Sequence, residues 1–140
     1  MTKKLFFLIL TCSIWNIISI SAQVFQNDDL TISQLEDQVW VIETADKTTM
    51  YLVEGKKKAM LIDTGTKCGQ LDSIVKLITN KPLSVLITHA HGDHSGNIKY
   101  FKEIYIHPAD TVLLDKSYKG KVHFVNDGEV FDLGERKLKI

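Results

Sequence analysis

Cysteine is scarce in this 140-residue chain, charge of one sign is not in excess, and no repeat, low-complexity stretch or internal linker interrupts it. Lys and Arg number 17, as do Asp and Glu. A nucleic-acid binder needs surplus cations on one face to neutralise phosphates, so this balance argues against that class. With 44% hydrophobic and 24% charged residues, disordered and fibrous classes are excluded and one soluble domain is indicated. The two cysteines are Cys12 and Cys68. If Cys12 is removed with a leader, a lone thiol remains and no internal disulfide can form. Cys68 lies in Thr66-Lys67-Cys68-Gly69, a loop, and reads as a small, partly buried residue rather than a reactive one.

Long apolar runs are also missing, except at the N-terminus. Lys3 and Lys4 form a short positive region, Leu5–Leu10 is a compact apolar run continued through Ile14, Trp15, Ile17 and Ile18, and Ser19-Ile20-Ser21-Ala22 ends it in small residues. This reads as a secretory signal peptide over residues 1–22, in preference to an uncleaved anchor or to a lipoprotein modified at Cys12. The expected localisation is periplasmic or secreted, with no membrane partner after cleavage. Loss of Lys3 and Lys4 would leave the mature chain slightly acidic.

Residues 23–140 read as one domain. Leu30–Leu35, Val39–Ile42, Thr49–Glu54 and Ala59–Asp63 carry strand patterning, the last two joined by a hairpin whose Lys56-Lys57-Lys58 tip is solvated. Leu71, Ile74, Val75 and Ile78 fall at helical spacing, which predicts a helix over Gln70–Thr79 ended by Asn80-Lys81-Pro82. Leu83–Thr88 is nearly all apolar, the mark of a strand covered on both faces. There follow a polar loop at His89–Gly96, a short helix at Asn97–Phe101, a strand at Ile104–Ile106, and a helix opened by Pro108 with Ala109, Val112 and Leu113 inward. Val122–Val125 and Leu138–Ile140 read as strands. The alternating Lys137-Leu138-Lys139-Ile140 has no turn or cap after it, and the sequence is taken as the N-terminal part of a longer protein.

The chemistry concentrates in His89-Ala90-His91-Gly92-Asp93-His94, three of the chain's five histidines within six residues. At this chain's own frequencies the pattern arises by chance in about five chains per ten thousand. Imidazole and carboxylate are the donors zinc accepts when no thiolate is offered, and they also suit iron and manganese. On extended backbone, residues two apart project to the same side, so His89 and His91 can grip one ion while Asp93 and His94 face a neighbouring position. Four such side chains at the carboxyl end of a buried strand also stand where open sheets place their sites.

This motif, the preceding Leu61-Ile62-Asp63-Thr64-Gly65, the helix between them and the continuation Ser95-Gly96-Asn97 strongly resemble the metallo-β-lactamase superfamily of metal-dependent hydrolases. The resemblance runs from about Leu30 to Ile140. It implies an α/β (α+β) fold, the αβ/βα metallo-β-lactamase-type sandwich, here its first half plus the start of the second. It further implies His89 and His91 on a first metal, Asp93 and His94 on a second, Asp93 as catalytic residue, and Asp63 as a carboxylate behind the ligands. The cofactor implied is Zn2+, two ions, with iron or manganese as alternatives. Bound water on such a metal has its pKa lowered to about 7 and attacks a carbonyl carbon. The substrate is then a small molecule: an ester, thioester, lactone or β-lactam. Complete family members draw further histidines and a bridging aspartate from later in the chain. His107 and His123 do not match those later motifs and read as structural or surface residues. The rival reading is a non-catalytic metal-binding or interaction module. In either case the second face of the sheet is expected to be mostly uncovered.

Overall fold

The computed structural model describes residues 22–66 and 68–140. The leader reading therefore lies outside the described residues, apart from Ala22. Among the described residues no helix is long and apolar enough to cross a membrane.

Eight strands form one sheet in which spatial order equals chain order: β1 (Ala22–Gln26), β2 (Leu30–Glu36), β3 (Val39–Thr44), β4 (Thr49–Glu54), β5 (Ala59–Ile62), β6 (Leu83–Ile87), β7 (Glu103–Ile106) and β8 (Lys121–Phe124). β1 to β5 are antiparallel, joined by short turns. From β5 onward pairing is parallel, so each later connection must cross over the sheet. A separate antiparallel hairpin, β9 (Val130–Asp132) and β10 (Lys137–Lys139), closes the chain.

Alternation along the strands sorts side chains between two faces. Leu30, Ile32, Trp40, Ile42, Met50, Leu52, Leu61, Val85, Ile87, Ile104 and Ile106 build the larger core. It is covered by helix α1 (Leu71–Val75), which turns Leu71, Ile74 and Val75 inward. This helix is half the length its apolar spacing predicts. Beyond Val75 the amides of Leu77 and Ile78 bond three residues back, to Ile74 and Val75, so the last turn tightens and only Ile78 continues the apolar contact.

The second face is not bare, contrary to expectation. Val39, Val53, Met60, Leu86, Val125 and Leu133 form a second core, and Phe131, Leu138 and Ile140 pack against it. The closing hairpin is held there by the amides of Lys57 and Lys58, which donate to the Leu133 carbonyl at 2.9 and 3.1 Å. Away from this cover, Leu35 and Tyr51 remain exposed.

The segment opened by Pro108 also departs from the predicted helix. Pro108–Leu113 is a 3₁₀ turn, and Ala109, Val112 and Leu113 all point outward, Val112 being 78% exposed. A threefold pitch does not keep residues at α-helical spacing on one face. Leu114 and Tyr118 reach the core instead.

Candidate metal centre

β6 delivers the motif. Its apolar residues are fixed on both faces, so the chain leaves the sheet at Thr88 with little freedom. His89 follows in a bend and His91 on extended backbone, and helix α2 (Gly92–Ser95) then carries Asp93 and His94. The predicted polar loop thus contains one helical turn. His91 precedes it with φ −66° and ψ 153°, and Ser95 Oγ donates back to the carbonyls of Ala90 and His91 at 3.1 and 3.0 Å. These bonds close the turn that carries Asp93 and His94.

One donor atom from each of His89, His91 and Asp93 lies within 4.8 Å of the others. The His89 and His91 rings stand edge to face with centroids 4.8 Å apart. His89 is half-buried, while His91 and Asp93 are exposed. Two imidazoles and a carboxylate fit a divalent transition ion. Ligands about 2.1 Å from a tetrahedral ion lie about 3.4 Å apart.

His94 stands behind this group, and its orientation has an identifiable cause. Its Nδ1 lies 2.8 Å from Asp63 Oδ2, and its Nε2 faces Asp93 Oδ2 at 3.5 Å. A carboxylate can only accept, so in the 2.8 Å contact Nδ1 donates to Asp63, and this fixes the ring with Nε2 on the side of Asp93. The His94 ring also lies over that of His89, with centroids 3.8 Å apart.

Asp63 is buried at the end of β5, with a left-handed backbone at φ 63°. Non-glycine residues rarely hold that conformation unless their surroundings impose it. Here the Asp63 amide donates to the Leu86 carbonyl at 2.8 Å. The carboxylate accepts from the Thr88 amide at 2.8 Å and from the Thr88 hydroxyl at 2.8 and 3.0 Å. β5 and β6 are parallel neighbours, so their carboxyl ends bring Asp63 and Thr88 side by side.

Beside the motif runs an open groove of about 420 Å³, lined by Asp29, Thr44, Ala45, Asp46, Thr66 and Gly92. Asp46 accepts hydroxyl bonds from Thr44, Thr48 and Thr66. Led by the Thr44 and Thr66 hydroxyls, these bonds lower its pKa to about 2. Cys68 is buried nearby, and burial, reinforced by Asp29 and Asp46, pushes its thiol up to about 11.

The structure thus gathers His89, His91 and Asp93, and ties His94 to Asp63. His107 and His123 stand elsewhere. His107 Nδ1 accepts the Ala109 amide at 3.2 Å, and His123 Nε2 pairs with Glu103 at 2.9 Å while its ring stacks on Tyr105. The sequence reading assigned nothing to Thr88, whose hydroxyl contacts Asp63 and approaches both the His89 and His94 rings.

The sequence profile of the metallo-beta-lactamase superfamily matches residues 44–136, which include every residue of this site, and the chain belongs to that superfamily. Its members are metal-dependent hydrolases and hold divalent metals, usually zinc. Among its relatives, hydroxyacylglutathione hydrolase of Francisella philomiragia is 30% identical over 72% of this chain and 40% of its own length. An atrochrysone carboxyl ACP thioesterase of Aspergillus terreus is 29% identical over 63% of this chain and 28% of its own. The chain therefore spans less than half the length of these curated relatives. A metallo-beta-lactamase from Pontibacter korlensis superposes with TM-score 0.64 at 24% identity, covering 79% of this chain and 59% of that one. The mixed sheet with few helices is accordingly a partial αβ/βα sandwich.

Proposed function

We propose that the chain is the metal-binding N-terminal portion of an exported hydrolase that cleaves small acyl compounds, thioesters foremost. The observation that carries this reading is the convergence of His89, His91 and Asp93 donor atoms within 4.8 Å, backed by the Asp63–His94 pair. His89 and His91 would hold one zinc ion, and Asp93 with His94 a second. Bound zinc supplies a Lewis acid that polarises a carbonyl and lowers the pKa of water.

The chain's own residues do the rest. Asp63 accepts from His94 Nδ1 and so fixes the ring with Nε2 turned toward Asp93, the nitrogen that would ligate. Thr88 holds Asp63 in turn by donating both its amide and its hydroxyl. Ser95 fixes the turn from which Asp93 projects. The groove lined by Thr44, Asp46, Thr66 and Gly92 opens beside these groups and offers a seat for an acyl portion. Thioesters come first because relatives of this chain are named hydroxyacylglutathione hydrolase and ACP thioesterase. Export rests on Lys3, Lys4 and the apolar run to Ile20.

The test measures metal content and thioester turnover of the longest native protein that contains this chain, with His89→Ala and Asp93→Ala beside it. Bound zinc, chelator-sensitive thiol release and loss of both in the variants are expected. Absence of bound metal under non-chelating conditions overturns the reading. Metal without turnover of any acyl substrate favours the non-catalytic module.

A further inference from the structure

Asn97 is fully buried, at 0% exposure, and uses all of its polar atoms. Its Nδ2 donates to the Thr64 carbonyl at 2.7 Å and to the Thr66 carbonyl, with Cys68 Sγ 3.4 Å away. Its Oδ1 accepts the Cys68 amide at 3.2 Å, and its own amide donates to Thr64 Oγ1 at 3.2 Å. Thr64 is equally buried and passes the connection on. The Thr64 hydroxyl and amide both donate to the His94 carbonyl, at 3.1 and 2.7 Å. Gly96 completes the contact by donating its amide to the Gly65 carbonyl at 3.0 Å; a Cβ at Gly96 would stand 2.6 Å from that oxygen.

These bonds join the segment after β5 to α2. Asp63 begins that segment, in a conformation its neighbours must impose, and His94 belongs to α2. The 2.8 Å Asp63–His94 contact therefore depends on how the two backbones are docked, and the side chains of Asn97 and Thr64 dock them together. Only an amide suits the Asn97 position. It needs two donors aimed at two carbonyls and one acceptor toward the Cys68 amide, which a carboxylate of the same shape does not provide.

We infer that Asn97 is a positioning residue: it sets the Asp63 segment against α2 so that Asp63 accepts from His94 Nδ1 and turns Nε2 toward Asp93. The consequence for zinc rests on the proposed reading of His94 as a ligand, whereas the tautomer does not.

The experiment uses the full 140-residue chain and compares the wild type with Asn97→Asp, Thr64→Val and Asp63→Asn. Histidine ring tautomers are read by nitrogen-15 NMR on metal-free protein, backbone amide spectra report whether the sheet persists, and Zn2+ titration reports affinity. The wild type should hold His94 as the Nδ1–H tautomer. In Asn97→Asp the tautomers should mix as they do in Asp63→Asn, with the sheet spectrum retained and Zn2+ affinity lower by about 10- to 100-fold, the usual cost of losing a group that orients a metal ligand. Thr64→Val removes the hydroxyl link while keeping volume, and should produce the same change in smaller degree. If Asn97→Asp does not fold, Thr64→Val decides. An unchanged His94 tautomer in the folded variants overturns the inference, even if they melt at lower temperature. A tautomer that responds to Asn97 in a chain with no zinc affinity upholds the inference and overturns the metal reading instead.

Discussion

Replacing Leu133 by alanine tests whether the closing hairpin is part of the cooperative fold. Leu133 is 1% exposed, and it sits between Val39, Val53, Met60, Leu86 and Val125 on the second face of the sheet. The change deletes three buried carbons, which at about 0.8 kcal/mol each gives about 2.4 kcal/mol before any cavity is counted. Leu→Ala changes in packed cores span about 2 to 5 kcal/mol, larger where neighbours cannot collapse. Only five buried residues surround this site, so collapse is easy and about 3 kcal/mol is expected. With a urea slope of about 2 kcal/mol per molar for a domain of this size, the midpoint falls by about 1.5 M. Circular dichroism during urea titration measures it. Val112→Ala, at a position 78% exposed, is the control and should move the midpoint by less than about 0.3 M. Gly55→Ala is an independent probe, because a Cβ there would collide with the Leu133 carbonyl oxygen. An Leu133→Ala midpoint as unmoved as the control's would refute the reasoning. The hairpin would then lie off the sheet, and the second face would be bare.

Three further outcomes follow from the polar groups. Asp46 titrates at about 2 in the fold, below the ordinary carboxylate range, so its charge stabilises above about pH 4 and that contribution is lost as pH falls through about 2; the urea-midpoint difference between wild type and Asp46→Asn should be present at pH 5 and close near pH 2, and a constant difference would contradict it. Cys68 titrates at about 11, which leaves about 0.1% thiolate at pH 8, so in a Cys12→Ser chain its alkylation by iodoacetamide should run at least about 100-fold slower folded than in urea, and equal rates would count against the buried placement. Lys81 Nζ lies 2.7 Å from the buried Glu54 carboxylate and also donates to the Gly55 carbonyl. Lys81→Met should cost about 2 kcal/mol by leaving that carboxylate unpaired, measured by thermal unfolding.

Much of this was legible in the sequence because the strands obey a simple period. Leu30/Ile32, Trp40/Ile42 and Met50/Leu52 alternate with neighbours that are polar, more exposed or turned to the second core, and lie in β2, β3 and β4. β1 escaped notice because Ala22–Gln26 carries little apolar patterning and pairs with β2 through an irregular register between Gln23 and Phe25. β9 was missed because three residues around Phe131 offer no period at all. The ligand motif was legible as a local string. Its support was not, since Asp63 and His94 are 31 residues apart and meet only because β5 and β6 lie parallel with their ends aligned. Asn97 stood in the sequence as part of the motif's continuation, but nothing local shows that its amide reaches back to Thr64 and Thr66.

The identity between chain order and spatial order across β1–β8 also has a kinetic meaning. No strand has to insert between two others, so the sheet can grow from one edge in the order of synthesis. The antiparallel β1–β5 meander closes through short turns and needs little loop entropy, whereas β6, β7 and β8 each dock after a crossover. Ile42→Val in the meander should accordingly slow refolding, and Ile106→Val in β7 should chiefly speed unfolding, a partition that stopped-flow kinetics would read and that the opposite pattern would exclude. Asp63 and Thr88 first meet when β6 settles against β5, so the histidine loop takes its shape at the step where growth of the sheet changes from hairpins to crossovers.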